Sequence, residues 1–257
     1  MTHGKPPAQP NLSLKDGLSC LQALVAHRDP IGTRELADLL GLEPTRVNRL
    51  LKTLAYLGLA EQDDHRKYRP GPAIHVLAAS SLFGSGLLRS AVGPLESLLE
   101  YGHIVAMGVL WRDQTCYLYY ADPSRPEDIA AHGLGHSQTF PAASSGIGLT
   151  LLAQTSPESI RELYGPGRSP ASSLANEEPP VLEGPGGFLD KLESVRRDGY
   201  SLVSFPSNPN RQTLAVPVGK HPYAAIGLSG SIDEAEKQRL LPALLNTAKL
   251  IDSSTSH

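Results

Sequence analysis

Apolar positions along the chain recur first at helical spacing and later in strand-like runs, and the change of period divides it. Leu14, Leu18, Leu21 and Val25, with Leu24 beside them, predict a first helix from about Ser13 to His27. Asp29, Pro30 and Gly32 break it, and Thr33 is placed to cap a short second helix buried through Leu36, Leu39 and Leu40. Gly41 suits a left-handed exit from that helix. Pro44 fits the first turn of a third helix, whose stripe is Val47, Leu50, Leu51 and Leu54 and whose end is Gly58. A short helix, a Gly-containing turn and a longer helix in succession predict a helix-turn-helix. Beyond it, Leu59 to Gln62, a polar turn from Asp63 to Lys67 and Tyr68-Arg69 predict a β-hairpin, a wing.

After Gly71-Pro72 the apolar positions Ile74, Val76, Leu77, Leu82, Phe83, Leu87 and Leu88 predict connector helices broken near Gly84 and Gly86, with a further helix from about Pro94 to Tyr101. From His103 the pattern becomes strand-like. Ile104 to Trp111 and Thr115 to Tyr120 read as a strand pair turning at Arg112-Asp113-Gln114, and Leu214 to Val218 with Ala224 to Leu228 as a second pair. Helices are expected at Ser144 to Ala153, Pro157 to Tyr164 and Phe188 to Arg197, and a mobile loop at Gly165 to Gly187. A last helix, Asp233 to Ile251, carries Leu240, Leu241, Leu244, Leu245 and Ala248 on one side.

The fold class is therefore α+β: a winged helix-turn-helix, a helical linker, and a C-terminal domain with helices packed on an antiparallel sheet. The expected organisation is a tail over 1–10, the winged domain over 11–71, the linker over 72–90, the larger domain over 91–253 and a tail over 254–257.

Composition adds little to this picture but excludes much. Apolar residues make up 40% and charged residues 19%, which fits a globular chain rather than a disordered one. The sequence offers no apolar run long enough to span a membrane and no secretion signal at its start, so a cytoplasmic location and no membrane partner are expected. Cys20 and Cys116 are too few for a disulfide framework or a zinc site. The net charge of -3 is unevenly spread: residues 1–72 hold ten Lys/Arg against eight Asp/Glu, whereas the rest holds thirteen against eighteen. Nucleic acid, an anionic partner, suits the first segment better.

The face of the third helix opposite its apolar stripe points the same way. Thr45, Asn48, Arg49, Lys52 and Tyr56 lie there, with Arg46 on the flank, and no acid occurs between Thr45 and Gly58. Arg can grip guanine O6 and N7, Asn can pair with adenine, and Lys can neutralise phosphate. Arg66 and Lys67 at the wing tip suit the phosphate backbone or the minor groove. Thr33, at the start of the second helix, is counted with them. Such stripes are often merely solvated, and it is the short helix and turn in front that favour DNA.

Other motifs carry less. Gly84-Ser85-Gly86 lacks the Gly-Lys-Ser/Thr ending of a phosphate loop and reads as a hinge. Ser144-Ser145-Gly146 lacks the hydrolase elbow and reads as a helix cap and pocket wall, and no catalytic set converges. His132 and His136, with His103, Asp122 or Cys116, do not make metal-ligand spacing, so neither metal nor cofactor is expected. By strict alternation Tyr117 and Tyr119 share one face of their strand and Tyr120 takes the other, packing on a helix or stacking on an aromatic ligand.

Gly41-Leu42-Glu43-Pro44-Thr45-Arg46-Val47-Asn48-Arg49-Leu50-Leu51-Lys52-Thr53-Leu54 resembles the recognition-helix segment of the IclR family of bacterial transcriptional regulators. Tyr68 to Pro72 resembles that family's exit from the wing. Gly135-His136 through Phe140-Pro141-Ala142-Ala143-Ser144-Ser145-Gly146-Ile147-Gly148, then Gly199-Tyr200, Ala215-Val216-Pro217-Val218 and Leu228-Ser229-Gly230, are similar to its later landmarks. The likeness runs from about Leu12 to Ile251, and the order and spacing of the motifs are specific together.

The resemblance implies a homodimer or dimer of dimers on double-stranded operator DNA, with a GAF-like C-terminal domain that binds a small-molecule effector. It places the effector between the sheet and the loop entering the Ser144 helix. Ile129, His132, Phe140, Ser144, Gly146 and Ile147 would line one side, and Val203, Thr213, Ala215, Gly227 and Ser229 the other. Gly146 and Gly148 would offer backbone N–H groups to a carboxylate. Leu149, Val203 and Thr213 replace a Lys, an acid and a Cys usual in the family, which implies an aromatic or weakly polar effector. Two other classes fit the C-terminal domain: a ligand-free oligomerisation module, marked by a filled core, and a small enzyme tethered to DNA, marked by a converging catalytic site.

Overall fold

The computed structural model describes residues 9–27, 29–125, 139–166, 178–205, 208–219 and 222–255. They fall into two compact units that divide between Gly84 and Ser85.

In the first unit, α1 (Leu12–Ala26) starts at Asn11, whose side chain accepts from the Leu14 amide at 3.0 Å. Then come α2 (Thr33–Leu40), α3 (Pro44–Tyr56), the hairpin β1 (Ala60–Gln62) and β2 (Tyr68–Pro70), and α4 (Ala73–Gly84). Gly41 takes φ +63°, the left-handed exit that links α2 to α3. Thr33 does not cap α2: the N-cap is Gly32, and Thr33 is the first helical residue. The core joins Cys20, Ala23 and Leu24 to Leu36, Ala37, Leu40, Val47, Leu51 and Leu54, sealed by Ile31 and Tyr68 across an isolated bridge. This corrects the face expected of α1. Leu14, Leu18 and Val25 are exposed, because the small side chains of Ser19, Cys20 and Ala23 let α1 settle closely on α3. Leu39 is likewise exposed, with Ala37 in its place.

The second unit begins with α5 (Leu87–Ser97), entered from Gly86 at φ +65° and followed by a 3-10 turn, Leu98–Tyr101. Pro94 lies inside α5 rather than opening a helix of its own. The sheet comprises β3 (Ile104–Trp111), β4 (Gln114–Ala121), β5 (Thr139–Pro141), β6 (Ser201–Phe205), β7 (Asn208–Val218) and β8 (Ala224–Gly230). All neighbours are antiparallel, in the order β5-β4-β3-β8-β7-β6. The helices are α6 (Gly146–Leu152), α7 (Pro157–Tyr164), α8 (Phe188–Asp198) and α9 (Glu234–Thr255). Strands β5 and β6 had no expectation, and β7 starts well before Leu214. The loop expected at Gly165 to Gly187 lies largely outside the described residues.

Alternation sorts the sheet into two faces. Leu214, Val216 and Val218 on β7, Ala224, Ile226 and Leu228 on β8, and Val105 and Met107 on β3 meet α5 and α9 in one core. From α9 that core takes Leu240, Leu244, Ala248 and Ile251, while Leu241 is partly buried and Leu245 exposed. The opposite face presents Ala106, Ala215 and Ala225, on which Ile147 and Leu151 of α6 sit.

That helix lies unusually close to its neighbours. A Cβ at Gly148 would stand 2.4 Å from the Ala142 carbonyl oxygen and 2.5 Å from Thr115 Oγ1, and one at Gly146 would stand 2.8 Å from Thr213 Cγ2. Buried hydroxyls fix the helix in place. Thr150 donates to Ser201 Oγ at 2.9 Å, and Ser201 donates to the Gly146 carbonyl at 2.8 Å. At the far end of α6, Arg196 of α8 donates to the carbonyls of Ala153 and Thr155 at 2.7 and 3.1 Å.

Gly148→Ala should therefore destabilise the second unit by about 1–3 kcal/mol, since backbone must shift. Gly93→Ala, inside α5 with nothing within 4 Å of its Cβ, should stabilise by about 0.5–1 kcal/mol. Urea unfolding of both variants checks the pair, and equal effects would contradict the packing.

Glu236 at the start of α9 predicts an acid limb. It receives Arg239 and, at 2.7 Å, His103 Nε2, and these bonds hold its carboxyl at about 2, down from 4.5. The stabilisation is in full above the unfolded value of 4.5 and is lost as pH falls towards 2. Glu236→Gln should flatten the fall in melting temperature over that window; an unchanged acid limb would remove Glu236 from it.

Candidate functional site

Two surfaces carry chemistry, one in each unit. On α3, Val47, Leu51 and Leu54 face the core, so Thr45, Arg49 and Lys52 stand exposed and Asn48 half-buried on the other side. Thr53 folds its hydroxyl back onto the Arg49 carbonyl at 3.0 Å. Arg46 is engaged differently: its guanidinium meets Asp16 of α1 at 2.6 Å and braces α3 against α1.

The wing turns on Asp63. Its carboxylate accepts from the amides of His65 and Lys67 at 2.9 and 2.8 Å, and the Arg66 amide donates to the Asp63 carbonyl at 3.0 Å. This closes a tight loop with Arg66 at φ +63°, a left-handed conformation costly for any residue with a Cβ. Arg66 and Lys67 are both exposed at the tip. Behind the tip, Arg69 and Glu61 pair across the strands at 2.9 Å.

In the second unit a cavity of about 730 Å³ opens at the N-terminus of α6, where the sheet continues beyond the helix. Pairing sets its floor: Val203 faces Thr213, Thr213 faces Ser229 and Ser229 faces Ile104, one continuous rung across four strands. The next rung, Ser201, Ala215, Gly227 and Ala106, runs into the packing beneath α6, with Ala106 still reaching the cavity. Thr213 and Ser229 hydroxyls bond each other at 2.8 Å.

One wall is aromatic. The Tyr117 and Phe140 rings lie 4.8 Å apart, tilted by 44°, and the Tyr117 hydroxyl reaches Ser145 Oγ at 3.4 Å. Burial pushes the Tyr117 phenol up. Tyr120 joins this wall and Tyr119 does not, contrary to simple alternation. A β-bulge is the cause. Met107 pairs with Tyr119 but Gly108 pairs with Tyr117, so Leu118 is an extra residue and the faces exchange across it.

Charge gathers at one end, with Asp122 and Arg125 following β4 and Arg211 on β7. Partial burial pushes the Asp122 carboxyl up. Hydrogen bonds from the Ser124 hydroxyl and amide and the fields of Arg125 and Arg211 outweigh it and hold the group below the usual carboxylate range. Arg211 also lies over the Phe205 ring at 5.8 Å.

Comparison with known proteins places this arrangement. Residues 13–64 match the IclR helix-turn-helix domain. The chain is 27% identical over 234 residues to the transcriptional repressor IclR of Escherichia coli K12, covering 89% of this chain and 83% of the repressor. An IclR transcriptional regulator from Silicibacter sp. TM1040 superposes with TM-score 0.73 at 21% identity, covering 95% of this chain and 96% of that one. Residues 13–64 thus match an IclR-type helix-turn-helix, and the chain as a whole is similar to IclR-family regulators. An IclR homologue from Microbacterium hydrocarbonoxydans, crystallised with 4-hydroxybenzoate, shares the fold with TM-score 0.62 at 18% identity, over 95% of this chain and 98% of that one.

The expected site residues divide in three. Phe140, Ser144, Gly146, Val203, Thr213 and Ser229 line the cavity together. Ile147 and Ala215 are fully buried in the contact between α6 and the sheet, and Gly227 shares the rung with Ala215 without lining the cavity. Ile129 and His132, like His136, lie outside the described residues. The Gly148 amide is already held by Ser145 Oγ at 3.2 Å, so it is no carboxylate donor. Leu149 is buried away from the cavity, and its replacement of a Lys carries no information about the ligand. His103 bonds Glu236 at the start of α9.

Arg125 and Arg211 were not foreseen. The only available signal was the alternation of Arg211 with Thr213 on a strand whose start the hydropathy pattern did not reveal. The strain at Arg66 is directly testable. Arg66→Gly should raise stability by a few tenths to about 1 kcal/mol in urea unfolding, since glycine accepts this conformation freely. A loss would mean that contacts of the Arg66 side chain outweigh the strain.

Proposed function

We propose that this chain is a sequence-specific transcriptional regulator that grips operator DNA through residues 11–71 and reads a small organic effector through residues 91–253. Residues 72–90 act as the linker between them. The single observation that carries the DNA reading is the exposed, acid-free face of α3, held rigid by the core on its other side. Arg49 suits guanine O6 and N7, Asn48 suits adenine, and Thr45 and Lys52 suit the flanking bases and phosphates. Thr33 opens α2 beside the backbone, and Arg66 and Lys67 reach phosphate or minor groove from the wing. Arg46 contributes through its exposed edge while it holds Asp16.

The assembly is a homodimer, or a dimer of such dimers. Leu14, Leu18 and Val25 on α1 and Val76 and Leu77 on α4 are exposed apolar side chains within one unit, and a second copy would cover them. Two α3 helices then meet a palindromic operator in successive major grooves.

The cavity supports the effector reading, because a filled core would have favoured a pure assembly module. The homologue crystallised with 4-hydroxybenzoate supports it from outside. Effector and operator are coupled by about 1–3 kcal/mol, and the coupling is reciprocal.

Binding to the chain's own upstream intergenic DNA against a scrambled duplex, at several salt concentrations, tests this. Arg49→Ala should cost roughly tenfold or more in specific affinity and lower the salt slope by about one. Unchanged affinity and slope would remove α3 from the groove. Arg66→Gly, though more stable, should bind more weakly to every duplex alike, as expected of a phosphate contact.

A further inference from the structure

Arg46 is the cation of α3 that the protein itself neutralises. It occupies the first turn of the helix, where the backbone dipole disfavours positive charge, and it lies one turn before a second cation, Arg49. No side chain caps α3 and no acid stands in its first turn. The charge that answers Arg46 comes from α1 instead: Asp16 meets its guanidinium at 2.6 Å.

The seam between the two helices holds that carboxylate in place. Gly17, the next residue, lies against Leu50 of α3, where an added Cβ would stand 3.7 Å from Leu50 Cδ2. One turn further along α1, Cys20 is fully buried, and burial followed by the field of Asp16 pushes its thiol up to about 11. The Asp16 side chain is only 15% exposed, while that of Arg46 remains 43% exposed. A guanidinium that open keeps access to DNA, so its tether decides what it can reach.

We infer that Asp16 is a specificity-determining residue that acts by positioning Arg46: it keeps the guanidinium from serving as a free phosphate contact. Phosphate contacts raise affinity for every duplex and carry no sequence information. On the operator, Arg49 and Asn48 fix how α3 lies, and Arg46 stays on Asp16. On other duplexes docking is loose, and an untethered Arg46 would take any phosphate within reach. The inference rests on α3 being the DNA-reading helix, and it names the residue that suppresses binding to the wrong DNA.

Binding of the full-length protein to its upstream intergenic duplex and to the scrambled duplex, each over a salt series, tests it. Asp16→Asn keeps the shape of the side chain and removes its charge. It should tighten binding to the scrambled duplex about threefold or more, steepen that salt slope by about one per bound protomer, and lower the ratio of specific to scrambled affinity. Asp16→Glu, which keeps the charge, should keep the ratio. In an Arg46→Ala background Asp16→Asn should bring no gain, since the contact it releases is absent.

Scrambled affinity and slope unchanged by Asp16→Asn would overturn the inference, and so would a gain as large without Arg46. Weaker binding to both duplexes, with a lower urea midpoint, would make Asp16 a structural brace and overturn it too. These outcomes leave α3 in the groove if Arg49→Ala still removes discrimination between the duplexes. Unaltered protein that binds neither duplex at low salt overturns the DNA reading and this inference together.

Discussion

The approach of α6 to the sheet sets the geometry of the second unit. Gly146 and Gly148 leave no room for a Cβ against Thr213, Ala142 and Thr115, and beneath the helix lie Ala106, Ala215 and Ala225. Small residues on both sides allow a distance that larger ones would forbid, and close packing makes that distance unforgiving. The buried hydroxyls of Thr150 and Ser201 then have partners, and Arg196 can reach the last carbonyls of the helix. Because α6 begins over one rung of the sheet, the rung beyond its N-terminus is left open, and the cavity is that remainder.

The other face of the sheet uses different chemistry to the same end. There Leu, Ile and Val from β7, β8 and β3 fill a broad interface with α5 and α9, where shape is less demanding and buried area larger. A cluster of Tyr101, Arg239, Glu236 and His103 ties the start of α9 to the turn after α5. One face is thus held by volume and the other by clearance.

The helix-turn-helix was legible because its information is local: period, breaker and left-handed glycine all lie within a few residues. The face of α1 was not, since Cys20, Ala23 and Ser19 do the burying and leucines point outward, against the usual weight given to size. Strand β6 was missed because an edge strand with Ser201 and Ser204 shows little apolar alternation, and β5 because it is only three residues long. The tyrosines of β4 were assigned by counting in twos, and a bulge is a backbone event that leaves no mark in composition. Half the expected cavity residues were found, through Phe140, Ser144 and the Thr213–Ser229 rung. The charged rim was not, because Arg125 and Arg211 converge only after the sheet has formed.

No single helix among the described residues is long and apolar enough to cross a membrane. In the reading given above, a second copy covers the apolar surface of α4 and α1.

The two neighbouring rungs of the sheet have different tolerance to change. Ala215, Gly227 and Ala106 are fixed by the helix above them, so drift there is closed off by folding itself. Val203, Thr213 and Ser229, two residues along the same strands, line the cavity, and of these Ser229 can vary with less effect on that contact than Thr213, which stands against Gly146. A lineage can thus exchange one ligand for another by altering alternate positions of β6, β7 and β8, keeping the scaffold still while the chemical vocabulary of the pocket is rewritten.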